Sequence, residues 1–272
     1  MARSKIALLI LMLLTSFGVA QAQSATEIAA PPSGLLIYNV WVRPTAPAPA
    51  DGATPEPPLP GTVSGAYMTI ENTSSVDYQL VAVSDSIAEM TMLHEMTVDA
   101  KGLMQMHMIT SLAVPAGQTV KLDTNGDHAM LMNVSSDIYP GDAIPLTLTF
   151  ADPNGSTFDV RVAAIATDDP PVDDPLIVAN AAAVKNDDGT LNVALLLDNR
   201  GDQPDTLTGA ISARVTVNVA LTNIPAQTQV ALTDISGLAG ALKKADAFPL
   251  TLTFDSGRQI TLAVPVQSGT NS

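Results

Sequence analysis

Apolar and polar positions alternate along most of this chain with a period of two, and no stretch holds a helical period. Leu35 to Val42 (LLIYNVWV) predicts a first strand, Ala66 to Glu71 (AYMTIE) a second and Gln79 to Ser84 a third. From Ala88 to Val98 the alternation places Ala88, Met90, Met92, His94 and Met96 on one face, with Glu89, Thr91, Leu93 and Glu95 on the other. Asp99-Ala100-Lys101-Gly102 reads as a hairpin turn, after which Met104, Met106 and Met108 share a face opposite Gln105 and His107. A loop of three residues sets His94 across from Met106, and a loop of five sets Met96 there; either register brings His and Met of adjacent strands to one face. Further strands are expected at Thr119 to Leu122, from His128 to Met132, at Ile144 to Phe150 (IPLTLTF) and at Phe158 to Ile165, parted by turns at 114–118, 125–127 and 140–142. Short strands at roughly ten-residue spacing predict an all-β sandwich.

The pattern then recurs. Thr167 to Pro175 (TDDPPVDDP) is a charged, Pro-rich linker, and beyond it FPLTLTF at 248–254 repeats IPLTLTF, while Val193 to Asn199 matches Ala66 to Asn72. The expected organisation is a signal segment at 1–22, a first domain at 23–167, a linker at 168–175 and a second sandwich domain at 176–272. Aligning Pro115 with Pro225 puts Leu238 at the place of His128 and Gly240 at that of Met130, and aligning Asn72 with Asn199 puts Leu221 at that of His94. The hairpin of Met104 to Met108 has no counterpart, so the second domain reads as free of ligands.

Outside the strands, Arg3 and Lys5 precede an apolar run from Ile6 to Leu14 and a small-x-small site at Ala20-Gln21-Ala22, the layout of a cleaved secretory signal. The expectation is an exported protein with no membrane insertion after cleavage, acting in the periplasm or at an extracytoplasmic face. The absence of cysteine rules out disulfides, thiolate metal sites, Cys nucleophiles and a lipid-modified Cys after the apolar run. Residues 44–61 carry seven prolines and read as a solvated, extended insertion. A net charge of −15 disfavours nucleic acid and anionic membranes as partners.

Composition changes the picture at one place. All three histidines and eight of the eleven methionines fall between Ala88 and Met132. Imidazole and thioether are neutral, soft donors suited to Cu(I), and the candidate ligands are His94, Met106, His128 and Met130, with Met104 and Met96 as possible substitutes. Met108 stands with these substitutes, Met90, Met92 and Met132 read as core filler, and His107 as a surface residue. Zinc fits poorly without Cys, Asp or Glu, and a blue-copper centre needs a thiolate. Such a site holds and releases metal rather than catalysing a reaction, and no Ser/His/Asp set or phosphate-binding Gly loop argues for an enzyme.

His94, then Met106, then His128 after 21 intervening residues and Met130 two positions on resemble the pattern H(M)-x10-M-x21-H-x-M of the periplasmic copper chaperone family PCu(A)C, with the first gap one residue longer. Trp41-Val42-Arg43, the stretch Ala66 to Asn72, the stretch Gly126 to Met132 and Leu146 to Phe150 carry the same resemblance over residues 34–166. It implies a cupredoxin-like sandwich, an exposed Cu(I) site and delivery of copper toward the CuA centre of cytochrome c oxidase, beside Sco-type proteins. The reading from another class is a metal-free scaffold or adhesion module of two β-sandwiches.

Overall fold

The computed structural model describes residues 34–48, 58–243 and 246–268. The signal segment and the middle of the Pro-rich insertion lie outside the described residues. No helix of the described residues is long and apolar enough to cross a membrane. Every regular element described is a strand. In chain order they are β1 Leu35–Val42, β2 Val63–Asn72, β3 Tyr78–Asp85, β4 Ala88–Val98, β5 Met104–Ile109, β6 Leu112–Val114, β7 Thr119–Leu122, β8 His128–Val134, β9 Ala143–Ala151 and β10 Thr157–Ala166. Then follow β11 Leu176–Lys185, β12 Thr190–Asn199, β13 Asp205–Ile211, β14 Thr216–Asn218, β15 Thr222–Ile224, β16 Thr228–Leu238, β17 Ala247–Phe254 and β18 Gln259–Ser268. The fold is all-β, two tandem β-sandwiches.

The first runs β5-β4-β8-β2-β1-β10-β9-β3-β6, with β7 also on β2. Its β1 and β10 pair in parallel and its other pairs are antiparallel. Inward positions of these strands close a core that includes Met68, Ile70, Leu80, Leu93, Leu131, Leu148 and Phe150. The second runs β14-β16-β12-β11-β18-β17-β13-β15 around Leu195, Leu197, Phe248, Leu250 and Leu252.

A buried asparagine fixes the same corner in each. Asn72 Nδ2 donates to the carbonyls of Val76 (2.8 Å) and Val114 (2.9 Å), while its Oδ1 accepts from Ser74 N at 3.1 Å. Asn199 Nδ2 donates to Gln203 O (2.9 Å) and Ile224 O (3.3 Å), and its Oδ1 accepts from Gly201 N at 3.0 Å. Asn39 and Asn180 carry positive φ of 51° and 52°, each at the bulge of its first strand. Asparagine tolerates this left-handed region better than any branched residue.

The linker is tied into the second sandwich. Arg258 Nε donates to Asp174 at 3.0 Å and its Nη1 to Asp205 at 2.9 Å, and Ser256 Oγ donates to Asp205 at 2.6 Å. Burial pushes the Asp205 carboxyl up, but the hydrogen bonds from Ser256 and Thr206 and the Arg258 charge outweigh it and hold the group below its ordinary value. Asp205→Ala is expected to cost roughly 2 kcal/mol in urea denaturation at neutral pH, since Arg258 remains partly solvated. Because the folded value is depressed, this contribution is full above the unfolded value of about 4 and is lost as pH falls through the folded one, so parent and variant converge in acid.

The sandwiches pack on each other. Trp41, Tyr67, Ala163 and Ile165 of the first bury against Ala247 and Ala263 of the second. Leu36 and Tyr38 bury against Ile177 and Ala179. The Asn180 side chain bridges to the β1 backbone, accepting from Ile37 N at 3.0 Å and donating to Leu35 O at 2.9 Å, and Arg200 pairs with Glu71 at 2.8 Å.

Candidate metal centre

Three adjacent strands, β5, β4 and β8, build the site. The β4–β5 hairpin has the five-residue connection: Val98 opposes Met104, Met96 opposes Met106 and His94 opposes Met108. Asp99 sets this register. Its Oδ1 accepts from Lys101 N (2.8 Å) and Leu103 N (2.9 Å), and Gly102 takes the positive φ of 79° that the turn needs. Backbone hydrogen bonds from Leu103 and Lys101 hold the Asp99 carboxyl below its ordinary value.

On its other side β4 meets β8, where His94 opposes His128, Met92 opposes Met130 and Met90 opposes Met132. The odd-numbered face of β4 and β8 sends Leu93 and Leu131 into the core. The eight methionines Met90, Met92, Met96, Met104, Met106, Met108, Met130 and Met132 and two of the histidines therefore line the outer face. His107 opposes Glu95 on the far face, exposed, as the alternation predicts.

The histidines form the centre of this face. Their ring centroids are 5.7 Å apart. His128 is the first residue of β8 and follows a loop closed by Asp123: Asp123 N donates to Asp127 O at 2.8 Å and Asn125 N to Asp123 Oδ1 at 2.8 Å. His128 Nδ1 lies 2.9 Å from the Gly126 carbonyl. A carbonyl only accepts, so Nδ1 carries a hydrogen, and in the neutral ring the lone pair is on Nε2. His94 Nδ1 is buried and has no hydrogen-bond partner among the described residues. Such an atom costs about 1–3 kcal/mol. Burial first, and then the neighbouring His128, push the His94 imidazole below its ordinary value, which keeps it neutral and able to donate a lone pair.

The surroundings are anionic and aromatic. Burial, then Glu95 and Asp123, push the Asp127 carboxyl up. Tyr67 lies against His128 with ring centroids 6.2 Å apart and stacks on Trp41 at 4.3 Å. Both residues of this aromatic wall, which reaches the second sandwich, fall within the stretches that carry the family resemblance, but their stacking on each other and against His128 follows from the sheet order, not from those motifs. Among the described residues no group of three or more His, Asp or Glu side chains gathers as a hard-ion site.

Of the expected ligands, the structure brings His94, His128 and Met130 together. Met106 lies one position from the histidine row toward the hairpin tip, Met108 lies in that row, and Met104 lies two positions away, roughly 14 Å along the strand. Met96 lies beside Met106, one position from the row, and Met90, Met92 and Met132 are not core filler: all sit on the outer face, Met90 exposed and the other two half-buried.

In the second sandwich the expected equivalences shift. With Asn199 at the place of Asn72, the pair Asn192–Ser236 corresponds to Gly65–Met130, and Asn218–Ser236 to Met92–Met130. Ser236, not Gly240, therefore holds the position of Met130, because the loop at 123–127 has no equivalent between Leu232 and Ile235. The place of His94 falls likewise at Ala220 rather than Leu221, two residues past Asn218.

A tandem β-sandwich with a paired-histidine, methionine-lined outer face is thus the class of protein that the fold defines. Residues 35–162 match the family described as putative lipoprotein LpqE-like. The putative lipoprotein Lxx21020 of Leifsonia xyli subsp. xyli (strain CTCB07) is 32% identical over 154 residues, 56% of this chain and 82% of that protein. The chain belongs to the LpqE-like family. Among solved structures it is similar to CuI-DR1885 from Deinococcus radiodurans (27% identity, 51% of this chain and 80% of that one, TM-score 0.32). It is also similar to the copper-bound PCuAC domain from PmoF2 (19% identity, 52% and 97%, TM-score 0.34).

Proposed function

We propose that this protein is an exported copper carrier that binds Cu(I) between His94 and His128 and passes it to a copper-requiring protein. The observation that carries the reading is the opposed histidine pair, with His94 Nδ1 buried and partnerless and His128 oriented by the Gly126 carbonyl. An outward carbonyl that fixes the tautomer of a ligand is the usual support of a metal-binding histidine. Met130 supplies one thioether. The second comes from β5, from Met106 by the family spacing or from Met108 by the register of this hairpin. The register favours Met108, since Met106 and Met130 fall on opposite sides of the histidine row. Neutral imidazole and thioether favour the monovalent ion, and the Asp127 carboxyl beside His128 favours cations in general. Export rests on the signal-like first 22 residues and on the lipoprotein naming of the family. The resemblance to PCu(A)C suggests the CuA subunit of cytochrome c oxidase or a Sco-type protein as recipient, and a carrier role rather than an enzymatic one. The second sandwich, on this reading a separate domain from residue 176 and a degenerate copy of the first, has lost the ligands and serves as support.

Anaerobic titration of the mature protein with Cu(I) against a competing chelator tests this. Met108→Leu is expected to weaken binding about tenfold and Met106→Leu by less than about threefold, on the scale of one lost ligand among four. The opposite order returns the β5 ligand to Met106. No competition by the parent leaves the metal-free scaffold as the better reading.

A further inference from the structure

On the side of the histidine row away from the hairpin tip, Met90, Met92 and Met132 lie beyond the proposed His/Met set. Met90 opposes Met132, and Met92 opposes Met130, so four thioethers occupy a two-by-two block directly beside the histidine pair. Directly opposed side chains stand about 5 Å apart at Cβ and alternate residues of one strand about 7 Å apart, so flexible Met side chains from these positions converge above the sheet.

Packing does not account for them. Met90 is 51% exposed, where strand positions favour Thr, charged or β-branched residues over an oxidisable thioether, and Met92 and Met132, half-buried, stay open to solvent on one side. The second sandwich builds the same block without them: Thr216 opposes Leu238 and Asn218 opposes Ser236, at the positions of Met90, Met132, Met92 and Met130. The fold therefore forms this ladder with ordinary residues, and the thioethers of the first sandwich are dispensable to it.

We propose that Met90, Met92 and Met132 form a second, all-thioether site for a soft monovalent cation, Cu(I) or Ag(I), with Met130 at its border with the histidine site. The inference extends the reading of this face as a Cu(I) surface. Three neutral sulfurs bind such an ion without displacing protons. The site fills after the histidine site and hands metal across Met130 by exchange of one thioether for another, with no change of oxidation state.

Ag(I), which has no redox chemistry here, tests the site on the full mature chain. Stoichiometry is read by native mass spectrometry and location by the methyl resonances of 13C-methyl methionine. The parent is expected to take two ions, with the Met90, Met92 and Met132 methyls shifting at the second equivalent. His94→Ala/His128→Ala is expected to keep one ion and those shifts, and Met90→Leu/Met132→Leu to keep one ion at the histidines. One ion in the parent and none in the double-histidine variant overturns the second site and leaves the histidine site standing. Two ions retained by Met90→Leu/Met132→Leu overturn it as well, placing the second ion elsewhere. Should the double-histidine variant fail to fold, the methyl shifts of the parent at the second equivalent decide alone.

Discussion

Replacing His94 with Leu is expected to weaken Cu(I) binding at least about 100-fold, beyond the 10–100-fold typical of groups that only orient a ligand. The same change is expected to leave the metal-free protein as stable as the parent, or more stable by up to about 2 kcal/mol. The two effects have one cause. His94 Nδ1 is buried without a partner, so the apo-protein carries a desolvated polar atom that bound metal relieves. A Leu of similar volume removes that penalty and adds apolar area beside Met92 and Met96. His128→Ala separates from it: His128 is buried and hydrogen-bonded to Gly126, so its loss lowers both metal affinity and apo stability. Chelator competition with Cu(I) and urea denaturation of the metal-free variants check the pair. Unchanged affinity in His94→Leu ends the metal reading of this residue, and a stability loss above about 1 kcal/mol shows that the ring serves packing instead.

The strands of the site were legible in the sequence because alternation and turn residues are local. β1 and β4 occupy the spans that their alternation predicts, and Asp99 to Gly102 forms the expected turn. The register across that turn was not legible, since three or five residues could connect the strands. Two side-chain-to-backbone hydrogen bonds of Asp99 decide it, and with it whether Met106 or Met108 meets His94. The same limit explains the misplaced equivalences in the second sandwich. Counting forward from Pro225 assumes equal loops, and the loop from Asp123 to Asp127 exists in the first sandwich alone. β6 is three residues long and owes its strand state to pairing with β3, which no window of its own sequence encodes. Met90, Met92 and Met132 looked like filler because apolar residues on one face of a strand usually point inward; here Leu93 and Leu131 take the inward positions.

The row His94, His128, Tyr67, Trp41 crosses four strands from the site to the second sandwich, and it gives the second sandwich a physical task. Tyr67 is held between His128 and Trp41, and Trp41 buries against the cluster containing Ala247 and Ala263. Trp41→Ala is therefore expected to cost about 3–5 kcal/mol, the range for loss of a large buried aromatic ring. It is also expected to split one calorimetric transition into two, since the joint loses its largest apolar member and rests mainly on Leu36 and Tyr38 against Ile177 and Ala179, on Asn180 and on the Arg200–Glu71 pair. Copper affinity falls too, by roughly threefold to tenfold, because Tyr67 loses the stack that seats it against His128. Trp41→Phe keeps an aromatic face on Tyr67 and restores most of each effect. Trp41 is the only tryptophan of the chain, so its emission reports the stack directly, and addition of Cu(I) to the parent changes it. A single transition with unchanged affinity in Trp41→Ala would show that the second sandwich rests on the first without supporting the site.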